Sequence, residues 1–176
     1  MDKRKITLFV SGIVVLIAAV FLSVWDSNRN EAGACVILPQ AYCDIVEENY
    51  ADSQFIGMTA NIPAFTKVYA PFDGTLKYSG TTIMNGTRVG VWSVENNPSG
   101  SLNEQSTAAV FLANLTRILG EGNSVNVRKG DFIGRTTKAL AAESGYNFLV
   151  DFKRYNAGIG YSLTDADLTR QFFPAQ

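Results

Sequence analysis

The hydrophobic pattern divides the chain in two. Ile6–Trp25 (ITLFVSGIVVLIAAVFLSVW) runs 20 residues without a charge. At 1.5 Å per residue a helix over this run is about 30 Å long, the hydrocarbon thickness of a bilayer. From Gly57 to Gly160 apolar and polar residues instead alternate in short runs, and thirteen of the fifteen glycines fall there. Period two marks half-buried strands, and glycine at this density marks turns. Strands are expected over Thr75–Ser79, Thr87–Val94, Thr107–Leu115, Ser124–Val127 and Asn147–Phe152. Gly80–Gly86, Glu95–Gln105 and Leu119–Asn123 read as turns or loops. Ala41–Tyr50 reads as a short helix with Ile45 and Val46 on its apolar edge. Ala139–Ser144 reads as a helical turn or loop, and Lys153–Tyr161 as a flexible connection. Thr164 is placed to cap a last helix over Asp165–Phe172, with Pro174 beyond its end. The fold class expected is all-β, one long sheet with short peripheral helices.

Lys3, Arg4 and Lys5 precede the uncharged run, which by the positive-inside rule keeps the N-terminus cytoplasmic and the rest across the membrane. A cleaved signal peptide is the alternative, since Ala32-Gly33-Ala34 fits a cleavage site. The run is long for that purpose, and polar residues intervene. The organisation expected is a cytoplasmic stub and transmembrane anchor over 1–25, a linker and disulfide-closed segment over 26–50, and a β domain over 51–176. Outside the cytoplasm Cys35 and Cys43 are expected to pair, two free buried thiols being the alternative. Their spacing does not fit a zinc knuckle, and there is no further cysteine to complete one.

Composition narrows the chemistry. Of 176 residues 47% are apolar and 18% charged, a globular mix. The formal charge is −1; Lys3, Arg4 and Lys5 against Asp2 leave −3 for the remainder. A mildly acidic domain without a basic run argues against a nucleic-acid partner. The chain has no histidine, which removes the commonest general base and the commonest zinc ligand.

Two turn segments stand out. In KVYAPFDGTL, Lys67–Leu76, Val68 and Ala70 alternate with Lys67 and Tyr69, Pro71 presets a turn, and Gly74 is free to take positive φ. VNVRKGDFIGR, Val125–Arg135, alternates likewise into Gly130-Asp131 and Ile133-Gly134. Signals this far apart point to a sheet in which distant segments pair. Val68-Tyr69-Ala70-Pro71-Phe72-Asp73-Gly74 resembles the V-x-A-P-x-D-G signature of M23 (LytM/lysostaphin-type) peptidase domains, and Arg128–Gly134 resembles that family's later turn. The resemblance covers about Phe55 to Phe152. It implies the duplicated hybrid motif, a sheet sandwich, with Pro71, Asp73, Gly74, Gly130 and Gly134 as structural turn residues.

It also implies where zinc ligands would stand. The family's H-x-x-x-D pair falls on Phe55 and Thr59, its Y-x-H-L segment puts Asn114 at a histidine, and its H-x-H falls on Asn147-Phe148-Leu149. A catalytic zinc needs about three protein donors and an open position. Phenylalanine and leucine donate nothing and threonine donates poorly. The expectation is therefore no metal, no cofactor and no catalytic residue: a pseudoenzyme whose Phe55 and Leu149 fill the former metal pocket. Asp44, Asp52, Asp73 and Asp151 read as turn caps and solvated charges rather than a hard-cation site.

Other chemistry is thin. Ser144 and Lys138 form the nearest serine–lysine pair, without spacing that marks a dyad. Asn85-Gly86-Thr87 and Asn114-Leu115-Thr116 match a glycosylation sequon by chance in a chain that looks bacterial. Tyr50, Phe55, Tyr69, Phe72, Tyr78 and Trp92 fit core positions of strands better than a groove. The function expected is non-catalytic. It is a domain anchored to the bacterial inner membrane by one pass, periplasmic or extracellular, binding an envelope protein or peptidoglycan, with oligomers allowed. A structural subunit of a transenvelope secretion, conjugation or sporulation complex is the first alternative. A peptidoglycan endopeptidase with an atypical metal site is the second.

Overall fold

The computed structural model describes residues 35–84, 86–97, 105–116, 119, 122–137, 145–156 and 160–173. In chain order these hold helix α1 (Gln40–Cys43) and strands β1 (Glu47–Ala51), β2 (Gln54–Ala60), β3 (Lys67–Tyr69), β4 (Gly74–Met84) and β5 (Thr87–Asn96). Then come β6 (Thr107–Ala113), β7 (Ser124–Val127), β8 (Phe132–Arg135), β9 (Phe148–Asn156), β10 (Gly160–Thr164) and helix α2 (Ala166–Gln171). The protein is mostly antiparallel β-sheet, in line with the all-β expectation. Among the described residues no helix is long and apolar enough to cross a membrane; the run 6–25, the linker 26–33 and the segment 139–144 lie outside them.

The two turn segments do meet. Strand β3 pairs with β8, Val68 opposite Gly134, and β4 pairs with β7, Gly74 opposite Val127. Between these ladders the turns are tied by backbone bonds from Ala70 N–H to Asp131 O and from Gly130 N–H to Ala70 O, both 2.8 Å. Gly74 is not in a positive-φ conformation, contrary to the turn reading. Its reason is space: a Cβ there would stand 2.4 Å from the Glu95 carbonyl oxygen.

The larger sheet runs β1-β2-β9-β6-β5-β4-β7, with β10 on the far half of β9. One edge of β9 is thus shared, β2 pairing at Phe148–Val150 and β10 at Lys153–Asn156. Strand β9 is buried on both faces over Phe148–Phe152. Phe148, Val150 and Phe152 join Leu76, Tyr78, Trp92, Val94 and Phe111 in the main core. Val68, Ile133, Leu168 and Phe173 belong to the same cluster, so β3, β8 and α2 all cover this face. Each of these large side chains adds about 1.5–3 kcal/mol on burial.

Cys35 and Cys43 form a disulfide, Cα–Cα 5.6 Å. The loop it closes carries Ile37 and Leu38, both 0% exposed, into the core, and Tyr69 N–H donates to Ile37 O at 2.9 Å. A loop this short stabilises by about 2–3 kcal/mol through chain entropy, and here it also holds an apolar plug in place.

Three expected elements and one expected cap are corrected. The helix over Ala41–Tyr50 stops at Cys43, and Glu47–Ala51 is a strand, because Asp52 and Ser53 (φ 49° and 65°) make a tight hairpin turn to β2. Gly80–Gly86 is largely strand: β4 runs to Met84, with a bulge between Tyr78 and Thr81. Lys153–Tyr161 is also mostly strand, β9 and β10 pairing antiparallel. The last helix forms as expected, but Asp165 caps it, its carboxylate accepting from Leu168 N–H at 2.8 Å. Thr164 instead donates to Asp151 Oδ2 at 2.8 Å.

Candidate functional site

The face of the large sheet away from the main core carries two of the positions that the family resemblance marks. Thr59 on β2 and Leu149 on β9 are direct cross-strand partners, which places their side chains on one face of the sheet. Leu149 is 6% exposed and clusters with Met84 and Val89, with Ile56, Leu112 and Tyr146 packed on them. Thr59 is 7% exposed, its hydroxyl 3.5 Å from the Glu47 carbonyl oxygen. A hydroxyl thus stands opposite an isobutyl group at two of the positions that the resemblance marks.

The other marked positions part company. Phe55 packs against the main core, while its neighbour Ile56 packs on the Leu149 cluster. The cause is Gly57, at φ +136°, where the β1–β2 register shifts. A Cβ there would meet Val150 O at 2.7 Å. That bulge breaks the alternation that would otherwise put Phe55 and Thr59 on one face. The Phe55 ring instead lies under the Arg170 guanidinium, 5.5 Å from centroid to Cζ, with Tyr50 edge-on at 5.7 Å. Phe55 therefore does not fill a pocket with Leu149.

Asn147 is buried and its amide acts as a peptide unit. Nδ2 donates to Ile62 O at 2.8 Å, and Oδ1 accepts Ile62 N–H at 2.9 Å. Its own N–H donates to Ala60 O. The side chain thereby extends the β2–β9 ladder past the end of β2. Asn114 Nδ2 donates to Arg88 O at 3.3 Å on the surface.

The four aspartates serve different elements. Asp73 accepts Lys129 N–H, and Asp44 accepts from Gln40 Nε2 at 3.2 Å. Asp52 sits in the β1–β2 turn. Asp151, 6% exposed in β9, accepts from Thr164 and pairs with Lys153 Nζ at 3.3 Å. Burial pushes its carboxyl above the ordinary value, against Lys153 and Thr164, which favour the ionised form. Its Oδ1 has no partner among the described residues. No group of three His, Cys, Asp or Glu side chains able to hold a metal occurs among the described residues.

Tyr69, Tyr78 and Trp92 are buried, Phe72 packs on the core, and Tyr50 is half exposed. Asn85, Lys138 and Ser144 lie outside the described residues.

Beside Thr59 an open cleft of about 380 Å³ is lined by Ile45, Glu47, Asn49, Asn61 and Tyr146 among others. The sequence reading missed it because it placed Glu47 in a helix over Ala41–Tyr50, whereas Glu47 begins strand β1. The available signal was Asp52-Ser53 between two strand-length segments, a hairpin cue. No family model matches this chain, nor does any curated protein or solved structure.

Proposed function

We propose that the chain is a non-catalytic envelope domain of M23/LytM-like type, held to the inner membrane by Ile6–Trp25, that binds a protein partner or peptidoglycan. The observation that carries this reading is the Thr59–Leu149 pair. Strands β2 and β9 bring together two of the positions where the resemblance puts zinc ligands, and neither side chain there is a competent donor. The meeting of the Val68–Gly74 and Arg128–Gly134 turns supports the resemblance, and with it the duplicated-hybrid-motif sandwich. The cleft beside Thr59, with its mixed carboxylate, amide and phenol lining, is where a polar ligand would sit. Lys3-Arg4-Lys5 and the Cys35–Cys43 disulfide support a domain outside the cytoplasm.

The test is metal content together with peptidoglycan digestion on protein purified without chelator, and pull-down on insoluble cell wall. Zinc-dependent digestion would replace the reading with the endopeptidase. Protease added to intact spheroplasts tests the topology: removal of the domain is expected, and full protection would contradict it.

A further inference from the structure

An aromatic ring is displayed where folding gives no reason for one. Phe65 is 70% exposed, and its φ is +68°. That region favours glycine or asparagine over a side chain of this size. The turn is nevertheless firmly built. Phe65 N–H donates to Thr136 O at 2.7 Å, Thr136 Oγ1 to Pro63 O at 2.7 Å, and Thr66 Oγ1 to Pro63 O at 2.8 Å. Arg135 reaches back to Phe65 O at 3.4 Å, and Lys67 is its cross-strand partner. Among the described residues Arg135 pairs with no carboxylate. The result is an exposed phenyl ring on a hydrogen-bonded turn, with the Arg135 guanidinium at its backbone and 5.7 Å over the Phe132 ring. Preorganised aromatic and arginine anchors of this kind carry binding energy at interfaces.

For such a knob the chain offers a cleft of mixed lining in which Ile45 and Tyr146 give apolar surface and Glu47 a carboxylate. Between Val36 and Thr66 there are four acidic residues, Asp44, Glu47, Glu48 and Asp52, and no lysine or arginine. Within that stretch Ile45 is 44% exposed, and Glu47 is exposed on edge strand β1. With Tyr146 they line the open cleft of about 380 Å³ beside Thr59. Arg170 occupies Glu48.

From this complementarity we propose that the domain self-associates, the Phe65–Arg135 knob of one copy seating in the Ile45–Glu47–Tyr146 cleft of another. Self-association stands on these two surfaces alone and holds whether or not the domain touches cell wall. The pairing is reciprocal in a two-fold dimer and polar in a ring or filament.

The test uses the full chain in detergent, with light scattering after size separation at up to about 100 µM, where a modest interface is populated. Phe65→Gly is the first variant. It suits the backbone and removes the ring, so association weakens by at least about tenfold while the melting temperature holds or rises. Arg135→Glu and Glu47→Arg each weaken association alone. Mixing the two regains it, because each supplies the surface the other has lost. A wild-type chain that stays monomeric overturns the proposal. Association that ignores Phe65→Gly and both charge reversals does so too; it would come from another surface, the N-terminal segment included.

Discussion

Asp73 accepts the Lys129 backbone N–H at 2.7 Å across 56 residues of sequence. That bond joins the turn after β3 to the turn before β8. A second carboxylate, Asp131, accepts Arg128 N–H at 2.8 Å and shapes the partner turn. Asp73→Ala leaves the Lys129 N–H to water, because the site is exposed. A charge-assisted bond of this kind contributes about 1–2 kcal/mol. Urea unfolding is expected to shift by that amount, and Asp73→Asn to recover most of it.

Asn147 is expected to be a structural residue. Asn147→Ala strands both backbone groups of Ile62 in a buried position, and the loss is about 2–4 kcal/mol. Asn147→Asp removes the donor to Ile62 O and buries a charge, so it is expected to cost at least as much at neutral pH. Denaturant midpoints of the two variants check both statements.

Acid stability should turn on Arg170. Hydrogen bonds from Arg170 and Tyr50 hold the Glu48 carboxyl at about 2, below its ordinary 4.5. Arg170 bonds it through Nε at 2.6 Å and Nη2 at 3.2 Å, clamping α2 to edge strand β1. A depressed carboxyl stabilises the fold above its ordinary value, and the stabilisation is lost as pH falls from about 4.5 toward 2. Arg170→Leu should therefore lower the melting temperature at pH 7 and flatten the acid limb. Some acid loss remains. Burial works against the charge on Asp165, but Leu168 N–H and Arg154 hold its carboxyl below the ordinary value. Asp151 acts in the opposite sense. Its carboxyl is raised by burial, so it destabilises the fold as pH rises past its ordinary value. Asp151→Asn is expected to make the acid limb steeper. Melting curves between pH 2 and 7 separate the three.

The face opposite the main core offers a fourth test. Leu149 packs with Met84 and Val89. Leu149→His puts an imidazole among them, and an unsatisfied buried polar group costs about 1–3 kcal/mol. A lowered melting temperature is expected. An unchanged one would mean that water reaches the Leu149 cluster and that the cleft beside Thr59 continues into it.

Much of the sheet was legible because alternation survives wherever one face is buried. Leu76 and Tyr78 on β4, buried between Thr75, Lys77 and Ser79, show it directly. The Cys35–Cys43 pairing was legible from spacing and setting. The hairpin β1–β2 was not. Glu47–Ala51 is exposed along nearly its whole length, so it has no period-two signal, and propensity favoured helix. Phe55 was misplaced for a different reason. A bulge at Gly57 resets which face each residue takes, and spacing alone cannot show that reset. Phe65 left no trace in the sequence either, since an aromatic in a turn reads as core until its φ is known.

The most direct test of the central claim is elemental analysis of the full chain purified without chelator, with peptidoglycan digestion on the same sample. The positions at Thr59 and Leu149 supply no competent donor, and a catalytic zinc requires about three. The expected result is zinc far below one per chain and no release of cell-wall peptides. Near one zinc per chain, lost together with a peptidase activity on adding chelator, would contradict the account.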